Sequence, residues 1–142
     1  ILVIQVLSGI YAYSMDLMHP FSKSKAAANY IKQSGLKESF ILADKNTIAS
    51  PISAYANVKI YYLAYNKFGS FFDNPQTKFI KNDSELIDKI KREIQDSKIK
   101  NILILSYPLN IKTNKLRLTK LKDFQNSIVG EERYFIYAVE KI

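Results

Sequence analysis

The chain contains no cysteine. That excludes a disulfide framework, a thiolate metal site and a cysteine nucleophile, and it leaves the redox compartment open. His19 is the only histidine. A histidine zinc site or a Ser-His-Asp triad would have to be built on that one residue, with Asp16 the only close acid. Glycine is scarce as well. Gly9, Gly35, Gly69 and Gly130 never approach the spacing of a dinucleotide fingerprint or a phosphate loop. Neither G-x-S-x-G nor H-E-x-x-H occurs. No catalytic residue, metal ligand or cofactor is therefore assigned.

What is present suits a folded core. Of 142 residues, 47% are hydrophobic and 24% charged, which fits one globular domain. The formal charge is +8. A basic surface suits nucleic acid, anionic lipid or phosphate-bearing substrates. Here the lysines are scattered among Ile and Asn residues, the pattern of a solvated surface rather than a dedicated anion-binding face. The aromatic residues fall in expected strands and not on a stacking platform, which argues against nucleic acid.

Residues 1–13 are almost wholly apolar but short of the ~20 residues a membrane-crossing helix needs. No Lys or Arg precedes them, unlike a signal peptide. Two readings stay open: an internal strand or helix of the domain, or the tail of a transmembrane helix. Residues 14–21 read as a connection, because Pro20 discourages a helix through His19. The expected division is an apolar segment with its connection at 1–21 and one α/β domain at 22–142.

Ser22 or Ser24 can cap a helix running to Ser34, with Ala27, Tyr30, Ile31 and Ser34 on one face and Gly35 as its stop. A first strand is expected at 39–43, where Phe40, Ile41, Leu42 and Ala43 are continuously apolar, as in a strand covered on both faces. Pro51, with Ser50 as cap, opens a short helix over 51–56. Residues 58–65 predict a second strand, and 66–75 a loop carrying Phe68, Phe71 and Phe72. Asn82 and Glu85 have capping-box spacing for a helix over 84–97. A third strand is expected at 100–107. A helix is expected at 118–129, with Leu118, Leu121, Phe124 and Ile128 inward and Gly130 as its stop. A last strand is expected at 133–139. Helices between successive strands predict an α/β fold of three layers. Its four-stranded, mainly parallel sheet has order 2-1-3-4, helices on both faces, and a last strand open to antiparallel placement.

In such a sheet, ligands sit outside the carboxyl ends of the strands. Asp44 ends the first strand. Asn46, Ser50, Ser53 and Tyr55 follow it, and Ser106 and Tyr107 occupy the matching end of the third. A carboxylate there can bind a sugar hydroxyl, a cation or a basic partner. Equally, Asp44 can cap its own loop by accepting N–H groups from Asn46 or Thr47. The densest basic run is Lys112, Lys115, Arg117, Lys120 and Lys122. It is either a contact for an anionic lipid surface or the outward face of a helix.

One further pattern runs over about a third of the chain. It comprises Asp16, Pro20, Phe21 and Ser22, then Ala26, Ala27, Tyr30 and Ile31, then a strand ending in Asp44. Ala49, Ser50, Pro51, Ile52, Ser53, Ala54 and Tyr55 follow, then Ile60, Tyr61 and Tyr62, then Gly69, Ser70 and Phe71. This resembles the soluble C-terminal domain of multi-pass membrane glycosyltransferase-like proteins of the GT-C type. The resemblance implies an extracytoplasmic, membrane-associated accessory domain whose partner is the transmembrane part of the same protein. The resemblance implies that the catalytic acids lie in an extracytoplasmic loop near the first membrane helices, a region outside this sequence, so none is carried over. Two alternatives remain: a self-contained module binding a small polar or anionic ligand at the Asp44 edge, and an interaction module using the 68–72 loop.

Overall fold

The computed structural model describes residues 2–18, 21–69, 80, 82–94, 99–110, 113–114 and 116–142. Helix α1 (Leu2–Met18) comes first. It runs through much of the expected connection. His19 and Pro20 lie outside the described residues. Helix α2 (Ser24–Gln33) follows, with the Ser24 amide donating to Ser22 Oγ at 3.0 Å. Gly35 then adopts φ +67°, the left-handed region that other residues enter at a cost. A 3₁₀ turn at Leu36–Glu38 leads into strand β1 (Phe40–Ala43), buried throughout.

Helix α3 spans Asn46–Ala56, so it starts well before the expected Pro51. Pro51 sits inside it, where it has no N–H to give to the carbonyl of Thr47 four residues back. Ser50 is consequently an interior helix residue and not a cap. Asn57, at φ 54°, closes the helix.

Strand β2 is only Ile60–Tyr62. The chain turns at residues 63–66, where Asn66 takes φ 54°, and returns as strand β3 (Lys67–Gly69), antiparallel to β2. One long strand at 58–65 is thus corrected to a hairpin, and 67–69 is strand rather than loop. Phe68 packs edge-on against Tyr61 and Phe40, at centroid distances of 5.2 and 5.7 Å. Phe71, Phe72 and Pro75 lie outside the described residues. Helix α4 (Asp83–Glu93) starts as its capping box predicts, the Glu85 amide donating to Asn82 Oδ1 at 2.9 Å. It closes at Ile94, short of the expected end, and residues 95–97 lie outside the described residues.

Strand β4 (Asn101–Leu105) is buried along its whole length. The expected helix at 118–129 does not form. Residues Leu116–Phe124 are instead a long strand, β5, antiparallel to the last strand, β6 (Tyr134–Lys141). Leu118, Leu121, Phe124 and Ile128 have helical spacing, but Leu116 and Leu118 also alternate with Arg117 and Thr119. The period of two prevails because β6 offers a complete hydrogen-bonding edge.

Among the described residues the sheet has six strands in the order β3-β2-β1-β4-β6-β5. The four expected strands lie in the expected sequence within it. The sheet is mixed, however, and not mainly parallel. Only β1/β2 and β1/β4 are parallel; β2/β3, β4/β6 and β5/β6 are antiparallel. Helices cover both faces. Ala27, Ala28 and Ile31 of α2 and Ile48, Ala49 and Ile52 of α3 pack with Ile41, Ile60, Ile102, Ile104 and Ile136 on one face. Leu86, Ile87 and Ile90 of α4 pack with Leu42, Leu103, Leu105 and Phe135 on the other.

A β-bulge between Lys120 and Lys122 couples β5 to both cores. Before it, Leu116 and Leu118 join the α4 face; after it, Phe124 joins the α2 face and meets Tyr30 edge-on at 6.0 Å. One extra residue inverts which side chains point to which face.

Candidate functional site

From β1 the chain passes through α3 to β2 on one side, while β4 lies on the other side and is preceded by α4 on the opposite face. The ends of β1 and β4 are therefore the point where the winding reverses, the place where open α/β sheets form a crevice. Ala43 pairs with Ile104, so Asp44 leaves β1 beside the residues that leave β4, Ser106 and Tyr107.

Asp44 is only 3% exposed. The Lys45 amide donates to its Oδ1 at 2.8 Å. Burial pushes the carboxyl above its usual range, against the Lys45 amide and charge, which favour ionisation. The expected loop cap named Asn46 or Thr47 as donor, and the bond to Asp44 described here comes from Lys45. Burial also pushes the Tyr107 phenol up, helped by the negative charges of Asp44 and of Asp83 in the first turn of α4. The loop after β4 is anchored where the Leu109 amide donates to the Tyr137 hydroxyl at 2.9 Å. The turn after β2 lies against β1, with the Leu63 amide donating to the Ala43 carbonyl at 2.9 Å.

The other expected residues are spread along α3. Asn46 opens α3 by its backbone at the same edge, but its side chain is outside what the structure describes. Ser50 is half-buried in mid-helix. Ser53 is buried and donates to the Val58 carbonyl at 2.6 Å, which locks the far end of α3. Tyr55 is exposed at that same end, about 14 Å along the helix from Asn46 at 1.5 Å per residue. What converges is a buried carboxyl and a phenol with its neighbouring serine. That set can hold a polar hydroxyl.

The basic run takes a different form from the one expected. Arg117, Lys120 and Lys122 project from β5, one of the two edge strands of the described sheet. Arg117 pairs with Glu140 at 3.7 Å and Lys120 with Asp123 at 3.1 Å. The Lys120 and Gln125 hydrogen bonds hold the Asp123 carboxyl below its usual value. Charged side chains on an edge strand also discourage further strand pairing. Lys112 and Lys115 lie outside the described residues. Among the described residues no cluster of three or more His, Cys, Asp or Glu side chains could hold a metal ion.

A second set of residues at this edge carries no signal in the sequence. Tyr134 opens β6 beside the end of β4, since Phe135 pairs with Leu105. Just before it, the Val129 amide donates to the Phe21 carbonyl at 3.3 Å and the Lys23 amide to the Glu132 carbonyl at 3.4 Å. The foot of α1 therefore stands at the same end of the sheet as Asp44. An open groove of about 510 Å³ lies alongside, lined by Lys23, Ala26, Asp123, Phe124, Gln125 and Asn126. No family model matches the chain, and neither a curated protein nor a solved structure does.

Proposed function

We propose that this chain is a non-catalytic accessory α/β domain, held at the extracytoplasmic face of a membrane through α1 as part of a glycosyltransferase-like membrane protein. One observation carries the membrane half of this reading. In α1 every described side chain is exposed except half-buried Ser14, and Asp16 is the only charged residue from Leu2 to Met18. Leu2, Val3, Ile4, Leu7 and Ile10 are each more than half exposed. A helix of that composition has no stable place in water, since each buried large apolar side chain gains about 1.5–3 kcal/mol. Among the described residues no helix is long and apolar enough to cross a membrane. The 17 residues of α1 span about 26 Å, against a hydrocarbon core of about 30 Å. It is an apolar stem that enters lipid or the transmembrane part of the same protein. The glycosyltransferase half rests on the sequence resemblance. An accessory role fits the lack of any phosphate loop or histidine-based catalytic group.

The test compares the chain with a version lacking residues 1–18 by sedimentation and by flotation with liposomes, at low and high salt. Removal should leave the α/β fold intact and abolish association with lipid. High salt should not release the complete chain, because screening acts on charges and not on apolar contact. Unfolding of the shortened chain would make α1 part of the core and end this reading. Neither sugar transfer nor nucleotide hydrolysis is expected from the chain alone. Turnover that disappears in Asp44→Asn would favour the alternative, a self-contained ligand-binding module at the Asp44 edge.

A further inference from the structure

Two large apolar side chains are exposed beside the foot of α1. Phe21 is 59% exposed and Ile128 is 63% exposed. The bond from the Val129 amide to the Phe21 carbonyl places the two segments side by side. Only three peptide steps separate Met18 from Phe21, so the end of α1 lies within about 11 Å of Phe21, whatever path the chain takes. Leu17 and Met18 are themselves 66% and 64% exposed. Exposed apolar side chains thus stand on both sides of the step from the stem to the domain, Leu17 and Met18 on α1 and Phe21 and Ile128 on the domain.

We propose that Phe21 and Ile128 form a foot that seats in the bilayer interface around α1. This rests on the membrane reading of α1. The occupant is lipid because α1, uncharged apart from Asp16, already carries this corner of the domain to an apolar phase. Two protruding side chains are also far smaller than the area a stable protein dimer buries. Exposed Lys25 and Arg133 flank the pair in sequence and suit the phosphate level; Lys23 and Glu132 are both half-buried, and Glu131 adjoins Glu132 in the sequence. The bond from the Ser127 hydroxyl to the Val129 carbonyl, at 2.7 Å, holds the loop that presents Ile128. Seating this foot turns the carboxyl ends of β1 and β4, with Asp44, Ser106 and Tyr107, toward the lipid. Tyr55, at the far end of α3, then faces away from it.

The chain has no tryptophan, so a single Trp reports on one place. The 142-residue chain carrying Ile128→Trp, Phe21→Trp or Tyr55→Trp is reconstituted with phosphatidylcholine–phosphatidylglycerol vesicles. Brominated phosphatidylcholine then serves as quencher. All three positions are exposed, so the substitutions should leave the fold unchanged, which circular dichroism checks. Tryptophan at 128 and at 21 should shift to the blue and be quenched by the brominated lipid. Tryptophan at 55 should remain open to acrylamide in water. A chain that floats with the vesicles while tryptophan at 128 and 21 stays aqueous overturns the foot and leaves the stem standing. A chain that does not float overturns both. A blue shift at 128 that needs no vesicles and grows with protein concentration assigns the foot to a second copy and overturns the proposal.

Discussion

The Tyr134 hydroxyl donates to the Ile48 carbonyl at 3.1 Å, across 86 residues of chain. The bond ties the start of β6 to the first turns of α3, directly behind the Asp44 edge. Tyr134 is fully buried, and burial pushes its phenol up to about 12, opposed by hydrogen bonds with Ser22 and Ser24. One side chain thus joins the segment after α1, the helix after β1 and the last hairpin.

Replacing Tyr134 with Phe removes the donor and leaves the buried Ile48 carbonyl without that partner. The expected loss is about 1–3 kcal/mol in urea unfolding. The pH dependence should change as well. A phenol whose folded value is raised stabilises the fold fully below its unfolded value near 10.0, and that stability is lost as pH rises through about 12. Tyr134→Phe should therefore lose less stability between pH 10 and 12 than the parent. Some alkaline loss should persist, because Tyr61 and Tyr62 are also raised to about 12.

Asp44→Asn should stabilise the domain at neutral pH. The amide oxygen can still accept the Lys45 N–H, and no charge is left in a site that is 3% exposed. Because the folded carboxyl is raised above 3.8, its contribution is complete below that pH and is lost as pH rises through the folded value. The stability gap between variant and parent should open above about pH 4 and then level off. Equal stability at every pH would mean that the carboxylate is satisfied at this edge and available for another role.

Leu103→Ala should cost about 2–5 kcal/mol, the range for a cavity in a core that cannot collapse. Leu103 is fully buried in β4, between β1 and β6, and faces the helix α4. Thermal and urea unfolding measure the loss. A cost under about 1 kcal/mol would mean that α4 relaxes into the space.

The central strands were legible because their burial is two-sided. Phe40, Ile41, Leu42 and Ala43 leave no polar position for a solvent face, and neither do Ile102, Leu103, Ile104 and Leu105. The cap at Asn82 and the stop at Gly35 were legible for a related reason. Each is a local need of the backbone, met within four residues.

The hairpin at Asn66 and the strand β5 were hidden for the opposite reason. In 58–65 the apolar and aromatic run continues past Tyr62, so nothing in composition marks the turn. In 116–124 two periods fit the same residues, and the choice depends on β6, whose paired residues lie 10 to 25 positions away. The candidate edge was legible only in part. Asp44, Ser106 and Tyr107 follow from where strands end, but the distance of Ser53 and Tyr55 from them depends on α3 starting at Asn46.

By itself the sequence determined the α/β class, the buried central strands and the apolar character of the opening segment. These follow from composition and spacing, which act through burial and local backbone geometry. Only the tertiary structure decided the antiparallel β5–β6 ribbon, the bulge that sends Phe124 to the other face, the exposure of α1, and the shared edge of Asp44 and Phe21. Strand direction and edge are set by hydrogen bonds between residues far apart in the chain, and no local pattern encodes which partner will be there.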